Sequence, residues 1–357
     1  MRDCGIPPTG ESKLEMRPVL HYNVYLLSEL LRKDKVYKIS PYLSRQYDKT
    51  FKSYDKFGLN KNPVYDRSGT VPHYVNMSPI HKMPSFDPSF NKNFYTICEE
   101  RSKQLASMNK PIKVCWSGGI DSTFVLLFLA QYIPKDQITV YGTYSSVIES
   151  GDVFDRYIKN NYKCEIKIFP SDDIRDKIED CIWVTGFQGN QLFGPTDDFF
   201  AKDRSLAFFH HTLGTKETIY EDYKKSVNPE LLEFLQPSID ASPRKIETVA
   251  DLRWYCIFNY DWYNGIYEMM GEMNPEKVGT VFHFFDTEDF QKWAITTKDP
   301  WTKVPGHSNT HRWQMREFMA EQGLKEYAKN KTKAISAITC NNGHWIFTLD
   351  NYENVYV

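Results

Sequence analysis

Residues 113 to 123 read KVCWSGGIDST, and this stretch decides how the rest of the chain is interpreted. It begins with a short, mostly apolar approach, continues through a turn that contains two glycines, and leads into the apolar run TFVLLFLA. That order of segments predicts a strand, a phosphate-binding loop and a helix. We therefore expect the fold to be built around this loop.

The predicted loop has the chemistry of an anion site. Gly118 and Gly119 carry no side chains that would shield the backbone amides, and the following helix directs the positive end of its dipole to the same place. Ser117 and Ser122 add two hydroxyl donors. Asp121 repels a phosphate unless a divalent cation lies between them, so its presence predicts a bound cation.

The string SGGIDS resembles the SGGxDS signature of the PP-loop (N-type) ATP pyrophosphatases, the superfamily of asparagine synthetase, argininosuccinate synthetase and GMP synthetase. A Walker A loop is excluded because no GxxxxGKS or GxxxxGKT string occurs. The resemblance implies cleavage of ATP between its α and β phosphates, with Mg²⁺ held by Asp121. It also implies a nucleotide site formed by Ser117, Gly118, Gly119, Ile120 and Ser122. A serine- and glycine-rich turn without a ligand is the alternative.

Composition places the chain among globular proteins. Of its 357 residues, 25% are charged and 41% hydrophobic, and the net charge of -2 argues against general nucleic-acid binding. The apolar run at 124–130 falls short of the ~18 residues that span a membrane, and no hydrophobic targeting stretch begins the sequence. We expect a cytoplasmic protein without membrane contact. The seven cysteines form no zinc-type cluster, which predicts buried thiols.

Strand and helix patterns alternate from residue 93 to about 200. Alternation of this kind predicts an α/β fold with a parallel, doubly wound sheet, whose ligands bind at the carboxyl ends of the strands. Residues 1–92 form an N-terminal extension, and residues 201–357 predict a mainly helical acceptor-site region that ends in a β-hairpin at Asn342 and Gly343. The family resemblance extends over about residues 94 to 335. It implies an adenine site at the strand end near Thr143.

The segment VTGFQGNQLFG, residues 184 to 194, resembles the asparagine synthetase segment SGEGSDELFGG. That resemblance adds Gly186 and Asn190 to the nucleotide site. The family's acidic pair is replaced by Asn190 and Gln191, and the amides lack two negative charges and a strong magnesium ligand. A weaker metal site, a different substrate or lost catalysis would each explain the replacement.

Three features of the C-terminal half bear on the site. An aromatic stripe that includes Trp254, Phe258 and Trp262 predicts core packing. Residues 281 to 295 resemble the family segment RxPFLDxxLVExA, which implies an acceptor-site position for Asp286, with a helix cap as the alternative. Met315 and Arg316 stand at the family's LR pair, and the lysine-rich loop after it implies that Lys331 or Lys333 contacts pyrophosphate; a solvated lysine run is the alternative.

The resemblance implies an asparagine-synthetase-like ligase that adenylates a carboxylate or amide acceptor, releases pyrophosphate and transfers an amine. We expect ATP, Mg²⁺, a small acceptor and an amine donor as ligands, no glutaminase domain, and free ammonia, another amine or a partner subunit as the nitrogen source. A homo-oligomer is possible. One alternative is an enzyme that modifies tRNA or a nucleobase through the basic and aromatic residues 32–67. Another is an ATP-binding protein with impaired catalysis.

Overall fold

The computed structural model describes residues 66–70, 82–167, 179–194, 218–225, 229–260, 262, 280–297, 312–331, 338–341 and 344–347. Several sequence predictions therefore lie outside the described residues. These are the basic and aromatic residues 32–65, most of residues 171–180 (SDDIRDKIED, a pattern that predicts a helix), the turn residues Asn342 and Gly343, and Lys333.

Five parallel strands form the central sheet, in the order β3-β2-β1-β4-β5. The strands are β1 (Ile112–Trp116), β2 (Ile138–Thr143), β3 (Lys163–Lys167), β4 (Ile182–Thr185) and β5 (Val281–His283). The prediction of an α/β fold with a parallel sheet is confirmed. Strand β5 was not predicted: it has only three residues, its sequence continues into further aromatic residues, and no apolar-polar alternation marks it.

Strand β1 lies at the centre and pairs with both β2 and β4. The order of the strands therefore changes direction on either side of β1. In open sheets of this kind, ligands bind outside the carboxyl ends of the strands at that switch point. The segments that leave β1 and β4, at Ser117 and Gly186, meet there.

The two faces of β1 differ in what covers them. Ile112, Val114 and Trp116 face the main hydrophobic core. The opposite face carries a small cluster around Trp183 and a nearly buried Lys113, whose ammonium pairs with the carboxylates of Glu165 and Glu179 at 2.9 and 2.7 Å. Apolar residues at alternate positions of the central strand thus hold the main core, while an ion-pair network covers the other side.

Helices surround the sheet. Their bounds are α1 (Phe94–Ala106), α2 (Ile120–Leu129), α3 (Tyr144–Glu149), α4 (151–161, with a π-helical turn at Phe154–Ile158), α5 (Gly189–Phe193), α6 (Tyr220–Lys224), α7 (Pro229–Asp240), α8 (Val249–Tyr260), α9 (Glu288–Thr296), α10 (Trp313–Glu321) and α11 (Lys325–Asn330). The apolar run after the loop predicts a helix that extends to about Ile133, whereas α2 ends at Leu129. The pattern at 247–270 predicts one long helix, and in the described residues of that stretch the helix is α8.

The main core is rich in aromatic rings. Trp254, Phe258 and Trp262 are all at most 1% exposed, so the prediction that this stripe is core is confirmed. Phe94 of α1 contacts the rings of Phe124 and five other aromatic side chains. These contacts join α1, α2 and α9 into one packed layer beside the sheet.

The C-terminal hairpin is confirmed as an antiparallel pair of strands, β6 (Ile338–Asn341) and β7 (His344–Phe347). Cys98, Cys181 and Cys256 are buried thiols, and Cys115 and Cys164 are half-buried. Within the described residues, none of the helices combines the length and the apolar character needed to cross a bilayer.

Candidate functional site

The loop between β1 and α2 requires glycine at its second position. Gly118 has a φ of +79°, and a Cβ atom built there would lie 2.6 Å from the carbonyl oxygen of Ser146. An L-residue at this position would therefore be strained in its backbone and would collide with backbone atoms. This is the position at which the SGGxDS pattern is fixed by geometry alone.

Two hydroxyl groups hold the Gly118 carbonyl. Ser150 donates to it at 2.7 Å and Tyr327 at 2.8 Å. At the other side of the loop, Gly119 is the N-cap of α2 and provides no side-chain cap. Because the first amides of a helix have no intrahelical acceptor, the start of α2 can receive an anion.

The two serines of the loop differ in their roles. Ser117 is exposed, whereas Ser122 is 4% exposed. The Ser122 hydroxyl accepts from the Ser117 amide at 3.1 Å, contacts the Ser117 hydroxyl at 3.1 Å and donates to the Gly119 carbonyl at 3.2 Å. Ser117 is therefore the accessible donor, and Ser122 maintains the shape of the loop.

A buried arginine faces the aspartate of the loop. The Arg312 guanidinium lies 2.8 Å from the Asp121 carboxylate, and the two side chains are 9% and 17% exposed. Burial lowers the pKa of Arg312, and the charge of Asp121 opposes that shift. Arg312 was not predicted. It is the N-cap of α10, with φ +59°, and a cation at a helix N-terminus is unfavourable because it opposes the helix dipole. Its position is explained by Asp121 rather than by the helix.

The turn after β4 lies directly against the first turn of α2. A Cβ atom on Gly186 would lie 2.9 Å from the Ser122 amide nitrogen, and one on Gly189 would overlap the carboxyl group of Asp121. Asn190 follows immediately in α5 and is half-buried. The structure thus brings Gly186 and Gly189 against the first turn of α2, and both positions need glycine for this close approach; Asn190 is the residue next to Gly189.

Lys331 reaches the opposite side of the loop. Its ammonium pairs with the Glu149 carboxylate at 2.9 Å and donates to the Glu149 carbonyl at 3.1 Å. A Cβ atom on Gly118 would lie 3.3 Å from the Cβ of Glu149, so Glu149 is a direct neighbour of the loop. Lys331 is only 10% exposed, and the alternative of a solvated lysine is therefore wrong for this residue.

Arg316 holds the backbone that carries Lys331. Its guanidinium donates to the carbonyls of Ala328 at 2.6 Å and Lys331 at 2.8 Å. Burial and the nearby charge of Arg312 lower the pKa of Arg316 to about 10. Met315 is fully buried in the core. The LR-like pair thus anchors α10 and fixes the end of α11 beside the loop.

Two other predicted site residues have structural duties. Ile120 is a buried core residue at the first position of α2, so only its backbone can serve a ligand. Thr143 is the N-cap of α3 and forms a capping box with Ser146. The neighbouring Tyr144 is 58% exposed at the carboxyl end of β2, where the family resemblance implies adenine.

The fit of a divalent cation depends on Asp121. Among the described residues there is no group of three or more His, Cys, Asp or Glu side chains suited to a metal ion. Magnesium sites that include substrate phosphates need only one or two protein carboxylates. Asp121 beside the start of α2 fits that arrangement, although its carboxylate also pairs with Arg312.

Asp286 does not cap a helix, so that alternative is wrong. Thr287 is the N-cap of α9, and the Asp286 carboxylate accepts from the Trp262 indole at 3.0 Å. Near it, the His283 Nδ1 lies 2.7 Å from the Thr185 hydroxyl. Burial lowers the pKa of His283 to about 4; Asp286 opposes this shift and Arg101 adds to it. His283 was not predicted, because strand β5 was not.

The last residue of the segment proposed for RNA contact, Arg67, is buried. Arg67 is 1% exposed and lies over the rings of Phe258 and Trp262, with its guanidinium carbon 5.1 and 4.7 Å from their centroids. Its guanidinium also donates to the carbonyl of Phe258. Arg67 therefore belongs to the core of the helical half and cannot contact a nucleic acid.

The fold and the site together define an α/β protein with a glycine loop at the switch point of a parallel sheet. That is the class of architecture that binds anionic ligands at a helix start. A comparison with models of known protein families finds no match for this chain, and a search of curated proteins finds no matching sequence.

Proposed function

We propose that this chain is an ATP pyrophosphatase of the PP-loop type, and that it acts as an asparagine-synthetase-like ligase. One observation carries the proposal: three segments far apart in sequence converge on the start of α2. They are the loop at Gly118, the turn at Gly186 and Gly189, and the end of α11 at Lys331. These are the segments that resemble the superfamily.

In this proposal the amides at the start of α2 and the Ser117 hydroxyl bind the phosphates of ATP. Lys331 neutralises charge on the pyrophosphate that leaves. Mg²⁺ would be held by Asp121, where it would polarise the phosphate oxygens and offset their charge. Arg312 supplies a fixed positive charge beside Asp121, and it costs no reorganisation because the protein already holds it in place.

The reaction has two steps. A carboxylate or amide oxygen of the acceptor attacks the α phosphorus, the bond to the bridging oxygen breaks, and pyrophosphate departs. An amine then attacks the activated carbon, AMP leaves, and the amine gives up a proton. The chain contributes positioning and charge neutralisation, which are the main terms in phosphoryl chemistry of this kind.

The test is pyrophosphate release from ATP and Mg²⁺ with a panel of carboxylates, amino acids and bulk tRNA. We expect release with one class of acceptor, and its loss in Asp121→Asn and Lys331→Met. Lys329→Met is the matched control, since Lys329 is exposed on the same helix. Release that is unchanged in both site variants would refute the assignment of the site.

A binding protein without catalysis is the second candidate, and it is favoured by Asn190. This neutral amide stands where the family has an acid, next to the turn that contacts Asp121. If the protein binds ATP yet releases no pyrophosphate, Asn190→Asp together with Gln191→Glu should introduce release. Release by the natural protein would eliminate this candidate.

A further inference from the structure

Several buried polar atoms near the nucleotide site have no hydrogen-bond partner among the described residues, and two of them lie close together at the carboxyl ends of β4 and β5. These two are His283 Nε2 and Gln188 Oε1, on side chains that are 7% and 3% exposed. Buried polar groups are nearly always paired, because an unmade hydrogen bond is costly away from water. Two such atoms in one small region are candidates for contact with a bound group.

A closed circuit of contacts places the two side chains together. His283 contacts Thr185 at 2.7 Å, and Gln188 follows three residues later and donates through Nε2 to the Trp262 carbonyl at 3.1 Å. The Trp262 indole donates to Asp286 at 3.0 Å, and the Asp286 amide returns to the His283 carbonyl at 3.1 Å. The circuit lies at the carboxyl ends of β4 and β5.

This region adjoins the nucleotide site. Gly186, which follows Thr185, approaches the first turn of α2 so closely that a Cβ atom there would lie 3.0 Å from the Asp121 carbonyl carbon. Neighbouring strands are about 4.8 Å apart, so His283 is one strand beyond that contact. A small molecule that reaches from an α phosphate at the loop across Gly186 would meet this region.

We propose that His283 and Gln188 form the subsite that binds the far end of the acceptor, and that the group bound there is an uncharged N–H donor such as a primary carboxamide. The assignment of this group to the acceptor substrate rests on the proposed function, whereas its binding at His283 and Gln188 does not. Gln188 Oε1 can only accept a hydrogen bond, and its amide orientation is set by the Trp262 carbonyl. The bound group must therefore donate.

The charges around the subsite favour a neutral group. His283 is uncharged at neutral pH because burial lowers its pKa to about 4. The two charged groups that influence it, Arg101 and Asp286, have opposite signs. A carboxylate or an ammonium bound there would have no excess charge to balance it, whereas a carboxamide needs none. Neutral His283 has one ring nitrogen that donates and one that accepts, so Nε2 can bind either end of the amide.

The experiment uses the full chain with ¹⁵N-labelled histidine and NMR detection, without ATP. The probes are two matched pairs, succinamate with succinate and glutaramate with glutarate. We expect the His283 signal, assigned with the variant His283→Gln, to shift with a carboxamide probe and to remain in place with its diacid. Equal responses to both members of each pair, or no response to any probe, would overturn the proposal.

Variants refine the test. Gln188→Met keeps the size of the side chain but removes the hydrogen-bond acceptor Oε1, so it should weaken carboxamide binding about tenfold. The control is Gln131→Met on the exposed surface, which should leave this binding unchanged. Unchanged affinity in folded Gln188→Met would also overturn the proposal, and the titration of the natural protein decides the case if that variant does not fold.

The failures of the two proposals are distinguishable. Carboxamide binding in a protein that forms no AMP removes the ligase reaction and leaves the subsite. AMP formation with an acceptor whose KM is unaffected by Gln188→Met removes the subsite and leaves the reaction.

Discussion

Two clusters of polar groups are organised around an aspartate, and they differ in whether the protein itself occupies their hydrogen-bond donors. Asp66 is 1% exposed. Its carboxylate accepts from the Ser68 hydroxyl at 2.7 Å, the Thr70 amide at 2.9 Å, the Ser238 hydroxyl at 2.8 Å and the Asn259 amide at 2.7 Å. All of these donors are occupied by the Asp66 carboxylate.

Asp121 is more accessible, and two donor groups near it are not occupied by a side chain of the protein in this way. It pairs with the buried Arg312, while Ser117 is exposed and the first turn of α2 has no side-chain cap. The comparison teaches that burial of an aspartate does not by itself mark a functional site. A cluster whose donors are satisfied internally stabilises the fold, and a cluster whose donors remain available can bind a ligand.

The largest expected effect on stability comes from the Asp66 cluster. Asp66→Ala removes the acceptor that the buried side chains of Ser238 and Asn259 share, so we expect the free energy of unfolding to fall by about 3–5 kcal/mol. Denaturant titration measures it, and Asp152→Ala, whose side chain is 89% exposed, is the control. A loss below about 1 kcal/mol would show that the Asp66 cluster is not structural.

Lys331→Met tests the cluster around Asp121, and here we expect the rate of AMP formation to change more than the stability of the fold. We expect AMP formation to drop about 10²–10³-fold, because a fixed donor to a departing anion has that order of effect. The unfolding free energy should fall by less than in Asp66→Ala, because the variant breaks one ion pair whose partner, Glu149, keeps 24% of its side chain exposed to solvent. If stability fell as far as in Asp66→Ala while turnover persisted, the contrast between the two clusters would fail.

His283 lies between these extremes, since it is buried but has an available nitrogen. Its pKa of about 4 in the folded protein is below the unfolded value of 6.5, so the unfolded state binds more protons between these values. Stability should therefore be lost as the pH falls from 6.5 towards 4, by about 2–3 kcal/mol at pH 4.5. Denaturation at pH 7.0 and 4.5 should show a smaller loss in His283→Gln, and an equal loss in both proteins would contradict the buried, neutral histidine.

The smallest expected effect compares two glycines. Gly189→Ala should cost about 1–3 kcal/mol and impair ATP binding, because the new Cβ would overlap the Asp121 carboxyl group. Gly151→Ala is the control: a Cβ atom there has no neighbour within 4 Å, and we expect a change within about 0.5 kcal/mol. Thermal unfolding and ATP titration of the two variants measure the difference.

The sequence predicts the parts of this molecule whose structure is determined by residues close together along the chain. The loop at Ser117–Ser122 needs only glycine, serine and the flanking apolar runs, and α1, α2 and strands β1 to β4 follow from local patterns. Lys331 could be proposed from its place in a resembling segment. Its packing against Glu149 joins residues 182 positions apart and appears only in the fold.

The residues missed by sequence analysis depend on such distant contacts. A role for Arg312 can be inferred only from its ion pair with Asp121. A role for His283 can be inferred only from its contact with Thr185 across the β4–β5 pair. Arg67 looked like part of a basic, exposed segment because composition cannot show that Phe258 and Trp262 cover it. Each of these side chains is polar yet buried, which local patterns assign to the surface.

The central claim is that the open cluster around Asp121 cleaves ATP between the α and β phosphates. The direct test is to incubate the protein with Mg²⁺, ATP labelled at the α phosphate and a low-molecular-mass extract as the source of acceptors, and to identify the labelled product. We predict labelled AMP, or an adenylate that yields it, and its loss in Asp121→Asn. Labelled ADP, or AMP formed equally by Asp121→Asn, would contradict the account.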